Sequence, residues 1–266
     1  MSRFLCLVVG LALIGCSQQR YEGTNNKAGD ELNKGMAFFD KQDFEKAIPH
    51  FTEAIKLDPK LAMAFTNRGG AYVNLGKYDA AIDDCTEAIK LDPKLAIAYS
   101  NRGGANLNLG KYDVAIDDCT EAIKLDPKLA MAYSNRGGAY VNLGKYDAAI
   151  DDCTEAIKLD PKLAEAYTNR GGANFSIGKY EAAIGDCTEA IKLDPKLAIA
   201  FSNRGGAYLN LGKYDAVIGD CSEAIKLNPN LAVAYYIRGV AYKEKGDPEK
   251  ARADVEMAKK LGLQLQ

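Results

Sequence analysis

One amide residue recurs through most of this sequence at a spacing of 34 residues, and it has clear potential to bind a ligand. The recurring asparagines are Asn67, Asn101, Asn135, Asn169 and Asn203. A carboxamide can donate and accept hydrogen bonds together, which matches the N–H and C=O groups of a peptide backbone. Asparagine is unfavourable inside a helix, so its repeated use there suggests a role. We predict that this set, the asparagine ladder, binds extended polypeptide with low sequence specificity.

Small and polar residues accompany the ladder. A hydroxyl residue precedes each asparagine, as at Ser100 and Ser134, and a second amide follows in most copies, as at Asn108 and Asn142. We include these four residues in the predicted peptide-binding site. A glycine three residues after each ladder asparagine is expected to let a bound chain come close. Two other interpretations stay open: the asparagines could tie neighbouring helices together, or near-identical repeats could simply have inherited them.

The remaining residues of chemical interest do not form a catalytic or metal-binding set. His50 is the only histidine, and no partner residues recur around it. Neighbouring helix residues point about 100° apart, so the aspartate pairs at 83–84, 117–118 and 151–152 do not converge on one ion. The Gly-Gly pairs lie inside predicted helices, which is not the setting of a phosphate loop. We expect no catalytic residue, no metal, no cofactor and no small-molecule substrate, and therefore not an enzyme.

The charge pattern restricts the choice of partner. The 266 residues carry a formal net charge of -2, with 34 basic and 36 acidic residues mixed along the chain. A nucleic-acid-binding protein usually has a basic patch or stripe, which is missing from this sequence. We therefore expect a protein or an extended peptide as the partner, and no nucleic acid.

The elements that must position the ladder are helices. The copy at residues 62–95 has an apolar stripe at Phe65, Gly69 and Tyr72, which predicts a first helix. Gly76 is suited to a left-handed helix end, and Asp79 to the start of a second helix. A proline at the end of the copy stops that helix. The period of 34 residues predicts about fourteen helices and no sheet between residue 28 and about residue 262.

These residues carry a family resemblance. Phe65, Arg68-Gly69 and Tyr72, followed by Ala81 and by a proline at position 93, resemble the tetratricopeptide repeat signature. The resemblance covers residues 28–265 as seven repeats. It implies an all-α, right-handed superhelical solenoid of seven helix-turn-helix repeats that binds other proteins. An alternative function is a structural assembly subunit, of the pilus or outer-membrane assembly type, that works through repeat packing.

The N-terminal residues predict a secretion signal and a membrane anchor. A basic start and a short apolar run over residues 4–14 are typical of a secretory signal. The sequence Leu13-Ile14-Gly15-Cys16 resembles the lipobox of bacterial lipoproteins, which implies a signal peptide at 1–15 and lipidation of Cys16. A plain secretory signal is the alternative. Residues 16–27 would form a flexible tether, and the serine after the cysteine implies the outer membrane, with the repeats facing the periplasm of a bacterial envelope.

Two further expectations concern packing. The cysteines at the 34-residue spacing, Cys85, Cys119, Cys153, Cys187 and Cys221, are expected to remain buried thiols, because equivalent positions on successive hairpins are too far apart for a disulfide. Recurring arginines and aspartates predict ion pairs between successive repeats. Asp84 would pair with Arg102, and so on to Asp220 with Arg238. Arg68 would meet His50.

Overall fold

The computed structural model describes residues 27–264, which contain fourteen α-helices and no strand. The helices are α1 (Lys27–Phe39), α2 (Phe44–Leu57), α3 (Ala62–Asn74), α4 (Tyr78–Leu91), α5 (Ala96–Asn108), α6 (Tyr112–Leu125), α7 (Ala130–Asn142), α8 (Tyr146–Leu159), α9 (Ala164–Ser176), α10 (Tyr180–Leu193), α11 (Ala198–Asn210), α12 (Tyr214–Leu227), α13 (Ala232–Glu244) and α14 (Pro248–Lys260). Each odd-numbered helix is the first helix of a hairpin, and the next even-numbered helix is its second. Seven consecutive hairpins confirm the predicted all-α repeat fold.

The described residues divide into two compact units, 27–139 and 140–264, with the division inside α7. In the first unit a first helix packs against its second helix and against the next hairpin, as α1 does with α2 and α3, and α3 with α4 and α5. The second unit repeats this arrangement, as α11 shows with α12 and α13. Each hairpin therefore buries its apolar stripe partly within itself and partly against its neighbour.

The turn inside each hairpin requires glycine. Gly76 has φ +70°, a left-handed conformation that L side chains rarely adopt. The amide of Gly76 donates to the carbonyl of Val73 at 3.0 Å, and that of Lys77 donates to Tyr72 at 2.9 Å, so the end of α3 is capped by its own backbone. The predicted helix stop at Gly76 is confirmed, and α4 begins two residues later at Tyr78.

Small residues set the spacing inside a hairpin. A Cβ on Gly69 would lie 2.7 Å from the Sγ of Cys85, and the same conflict recurs between Gly103 and Cys119 at 2.6 Å. The two helices thus meet where one contributes only backbone and the other a buried thiol. All five recurring cysteines are buried thiols, as the spacing argument predicts.

The terminal hairpins differ from the internal ones. Pro49 lies in the second helix of the first repeat, where a proline is expected to interrupt a helix, but α2 is continuous over Phe44–Leu57. Pro49 removes one backbone donor, and the carbonyl it would have bonded, that of Glu45, belongs to an exposed residue that water can reach. At the other end, Pro248 occupies the first position of α14, and Asp247 caps that helix by accepting from the amide of Lys250 at 3.1 Å.

The predicted signal peptide (1–15), Cys16 and almost all of the predicted tether lie outside the described residues. The exception is Lys27, which we had placed in the tether and which forms the first residue of α1. Between residues 27 and 264, none of the helices has the length and apolar character needed to cross a membrane.

Candidate functional site

The asparagine ladder lies on the first helices and is almost completely buried. Asn67, Asn101, Asn135, Asn169 and Asn203 are between 1% and 6% exposed. The hydroxyl residues that precede them are equally enclosed, and Ser100 and Ser134 are each 1% exposed. A side chain with so little accessible surface cannot meet a ligand without movement of its neighbours. The position of the ladder on the first helices is as predicted, but its exposure is far lower than a ligand-binding ladder requires.

Two of the ladder amides bond to the adjacent repeat. The Nδ2 of Asn101 donates to the backbone carbonyl of Thr66 at 3.2 Å, and the Nδ2 of Asn135 donates to that of Ser100 at 3.3 Å. Each bond joins the first helix of one repeat to the first helix of the repeat before it. This geometry favours the interpretation that the asparagines tie neighbouring helices together. Their contact with a peptide is untested and stays a prediction.

Gly70, beside the ladder, also contributes to the contact between neighbouring first helices. A Cβ on Gly70 would lie 3.0 Å from the Nδ2 of Asn101 and 3.6 Å from the ring of Phe39. We expected this glycine to admit a bound chain. In the structure the space above it is occupied by the asparagine of the following repeat and by an aromatic ring of the preceding one.

The second amide of the predicted site also has partners within the fold. The Nδ2 of Asn108 donates to the carbonyl of Gly104 at 2.8 Å, and its Oδ1 accepts from the hydroxyl of Tyr78 at 3.3 Å. Asn74 and Asn210 donate to the carbonyl four residues earlier in the same way. Asn142 is the last residue of α7 and is half-buried. Where these bonds form, the amide adds a hydrogen bond within the last turn of the first helix.

The arginines form the ion pairs, but in a different register from the predicted one. Arg68 donates through Nε and Nη2 to the two carboxylate oxygens of Asp84, both at 2.8 Å. The prediction that Asp84 pairs with Arg102 is wrong. The same pairing within one hairpin recurs as Arg102 with Asp118, Arg170 with Asp186, Arg204 with Asp220, and Arg238 with Asp254. The partners are sixteen residues apart because the turn folds the second helix back onto the first at this distance.

Each of these guanidinium groups also reaches the preceding repeat. The Nη1 of Arg68 donates to the Oγ1 of Thr52 at 3.0 Å, and that of Arg102 donates to Thr86 at 3.2 Å. The aromatic ring three residues before each arginine lies below the cation, 5.8 Å from Arg68 in the case of Phe65. One side chain thus joins the two helices of its own hairpin and the last helix of the hairpin before.

The first repeat arranges its charges differently. The prediction that Arg68 meets His50 is wrong. The Nδ1 of His50 lies 2.7 Å from the Oε2 of Glu31. His50 also stacks on Phe38, with ring centroids 5.4 Å apart. Hydrogen bonds from His50 and Lys34 hold the pKa of Glu31 below its ordinary value. The first hairpin therefore replaces the Arg–Asp pair with a local contact of its own.

Burial changes the acidity of the paired and packed groups. Desolvation raises the pKa of Asp84, although the Arg68 guanidinium favours its charged form. Desolvation also raises the pKa of the Cys85, Cys153 and Cys221 thiols far above the ordinary range. Raised thiol pKa values leave these cysteines without the thiolate that nucleophilic chemistry requires.

Two kinds of hairpin alternate between residues 62 and 231, and the last hairpin, with Tyr242, is of the same kind as the one before it. The position four residues after the arginine is held in turn by Tyr72, Asn106, Tyr140, Asn174 and Tyr208. In the tyrosine hairpins the ring lies under a lysine, with the Nζ of Lys77 6.0 Å from the ring of Tyr72. In the asparagine hairpins the amide donates to the paired aspartate, as Asn106 does to Asp118 at 3.2 Å. The pattern therefore has a period of two repeats beneath its period of one.

These helix hairpins, with their repeated Arg–Asp pairs and first-helix ties, define a solenoid-forming repeat class. The tetratricopeptide-repeat profile matches residues 62–95, 96–129, 130–163, 164–197 and 198–231. Related repeat profiles match residues 35–76 and 221–253. The chain belongs to the tetratricopeptide-repeat family. Members of this family generally bind peptides or proteins as non-catalytic interaction scaffolds. No curated protein matches the sequence.

Solved structures share the fold. The crystal structure of MamA is 30% identical over 60% of this chain and 93% of that chain, with a TM-score of 0.50. A tetratricopeptide repeat protein from Parabacteroides merdae is 22% identical over 90% of this chain and 94% of its own, with a TM-score of 0.61. A chain of the APC/C hetero-tetramer Cut9-Hcn1 is 19% identical, with a TM-score of 0.71; the match spans 91% of this chain and 54% of that longer chain.

Proposed function

We propose that this chain is a membrane-anchored scaffold that holds partner proteins or extended protein segments in the bacterial envelope. The observation that supports it most directly is the register of the repeats, which place equivalent side chains at the same points of successive hairpins. Lys77, Lys111, Lys179 and Lys213, for example, are exposed at the same turn. A partner that extends along such an array meets the same chemical groups again at each repeat.

In this proposal the asparagine ladder sets the contact between first helices, and a partner binds along those helices. A ladder asparagine can bond directly to a peptide backbone only if its Nδ2 or its Oδ1 has no hydrogen-bond partner within the fold. In Asn101 the nitrogen is bonded to Thr66, whereas the Oδ1 is buried and has no hydrogen-bond partner. Each amide–backbone bond contributes a net ~0.5–1.5 kcal/mol, so several aligned bonds would give modest affinity.

Binding and packing can be separated by one set of variants. Asn101→Ala, Asn135→Ala and Asn169→Ala, combined in one protein, remove three central members of the ladder. The variant and the wild type are compared for binding to an immobilised array of extended peptides and for thermal stability, with Asn230→Ala as an exposed control. Loss of peptide binding in a folded variant would support direct contact. Lower stability with unchanged binding would assign the amides to packing alone.

The same variants address the alternative function as an assembly subunit. Self-association is measured by light scattering alongside the peptide array. A scaffold binds peptide on the array in the wild type, and its oligomeric state is the same in the wild type and in the variants. A subunit that works through repeat packing binds no peptide on the array and assembles with other copies or with envelope partners.

The membrane anchor is proposed from the sequence around Cys16. Lipidation at this cysteine would hold the repeats at the envelope, since two or three acyl chains bind a bilayer firmly whereas one does not. The test is to express the full chain and Cys16→Ser in a bacterium and to measure labelled fatty-acid incorporation and membrane fractionation. The proposal expects both in the wild type and neither in the variant. An unlabelled wild type, released as a soluble periplasmic protein, would support the plain secretory signal.

A further inference from the structure

We draw no further inference here: the strongest candidate, the partly buried apolar side chains of Ile199, Leu209 and Val233 on α11 and α13, carries nothing because they pack against the hydrophobic core and no feature of the structure shows what would cover their remaining surface.

Discussion

Arg68 and Asp84 face each other across a single hairpin and share two hydrogen bonds of 2.8 Å. The side chains are 17% and 9% exposed, so the pair is largely shielded from water. Desolvation offsets much of the attraction within such a pair, whereas removal of one partner leaves the other poorly solvated. The pair therefore specifies how the second helix packs on the first more than it adds net stability.

This register can be measured with two double-mutant cycles that share Asp84. We expect Asp84→Ala to destabilise the protein, and to couple with Arg68→Ala by about 1–2 kcal/mol because these side chains are in contact. The cycle of Asp84→Ala with Arg102→Ala should show coupling close to zero. Unfolding in urea gives all the values. A larger coupling to Arg102 than to Arg68 would restore pairing between repeats and contradict the structure.

The close contact of Gly69 with Cys85 predicts a strong effect of one methyl group. Gly69→Ala should destabilise the protein by roughly 1–3 kcal/mol, because the new Cβ would lie 2.7 Å from the thiol sulfur. Removal of that sulfur in the double variant Gly69→Ala, Cys85→Ala should recover part of the loss. Chemical denaturation measures both. Losses that simply add in the double variant would show that the sulfur is not the obstacle.

A change from glycine to alanine should instead stabilise the protein when it is made on the second helices of two later repeats. Gly185 and Gly219 lie inside α10 and α12, are exposed, and have nothing within 4 Å of an added Cβ. Alanine is favoured over glycine in a helix interior by about 0.5–1 kcal/mol. Gly185→Ala and Gly219→Ala should each raise the midpoint of thermal unfolding. No rise in either variant would imply a contact at these positions that the structure does not contain.

The buried thiols predict how stability changes in alkaline solution. Burial raises the pKa of Cys85 in the folded state, whereas an unfolded cysteine ionises near pH ~8.5. The unfolded state therefore loses its proton first, and stability that is fully present below that pH declines as the pH rises. Each such thiol contributes a decline of about 1.4 kcal/mol per pH unit.

The measurement is the free energy of unfolding between pH 8 and pH 10 for the wild type and Cys85→Ala. The variant should have a shallower decline by about one thiol's contribution, whatever its absolute stability. Lysines and tyrosines titrate in both proteins, so they cancel in the comparison. Equal slopes would mean that Cys85 ionises as readily in the folded protein as in the unfolded chain.

Most of the fold can be predicted from the sequence because the repeat imposes its own constraints. The left-handed Gly76, the start of α4 at Tyr78 and the prolines that end the first six copies are local signals with local outcomes. Pro49 shows the limit of such signals. A proline predicts a break, but α2 continues through Pro49. The helical hydrogen bond that the proline removes is the one to Glu45, which is an exposed residue.

The site was harder to predict, because a periodic sequence states which residues recur and not which copies touch. The repeat spacing is equally consistent with a pair between Asp84 and Arg68 and a pair between Asp84 and Arg102. The path of the turn brings Asp84 to Arg68. The asparagines raise the same difficulty. Their chemistry suits a peptide backbone, and the backbone that Asn101 meets is the carbonyl of Thr66 in the preceding repeat. The glycine at position 70 was a usable signal, since a missing side chain permits close approach by any neighbour.

The alternation of tyrosine and asparagine hairpins has a consequence for how such a chain can change length. Tyr72 and Asn106 mark the two kinds of unit, which alternate from Tyr72 to Tyr208. Loss or duplication of two adjacent units preserves this order and recreates junctions already present in the protein. Loss of a tyrosine unit or duplication of an asparagine unit places two asparagine units side by side, a junction that does not occur between residues 62 and 260, whereas two tyrosine units already adjoin at Tyr208 and Tyr242. Recombination that joins two asparagine units is therefore less well tolerated than recombination in steps of two units, which is 68 residues.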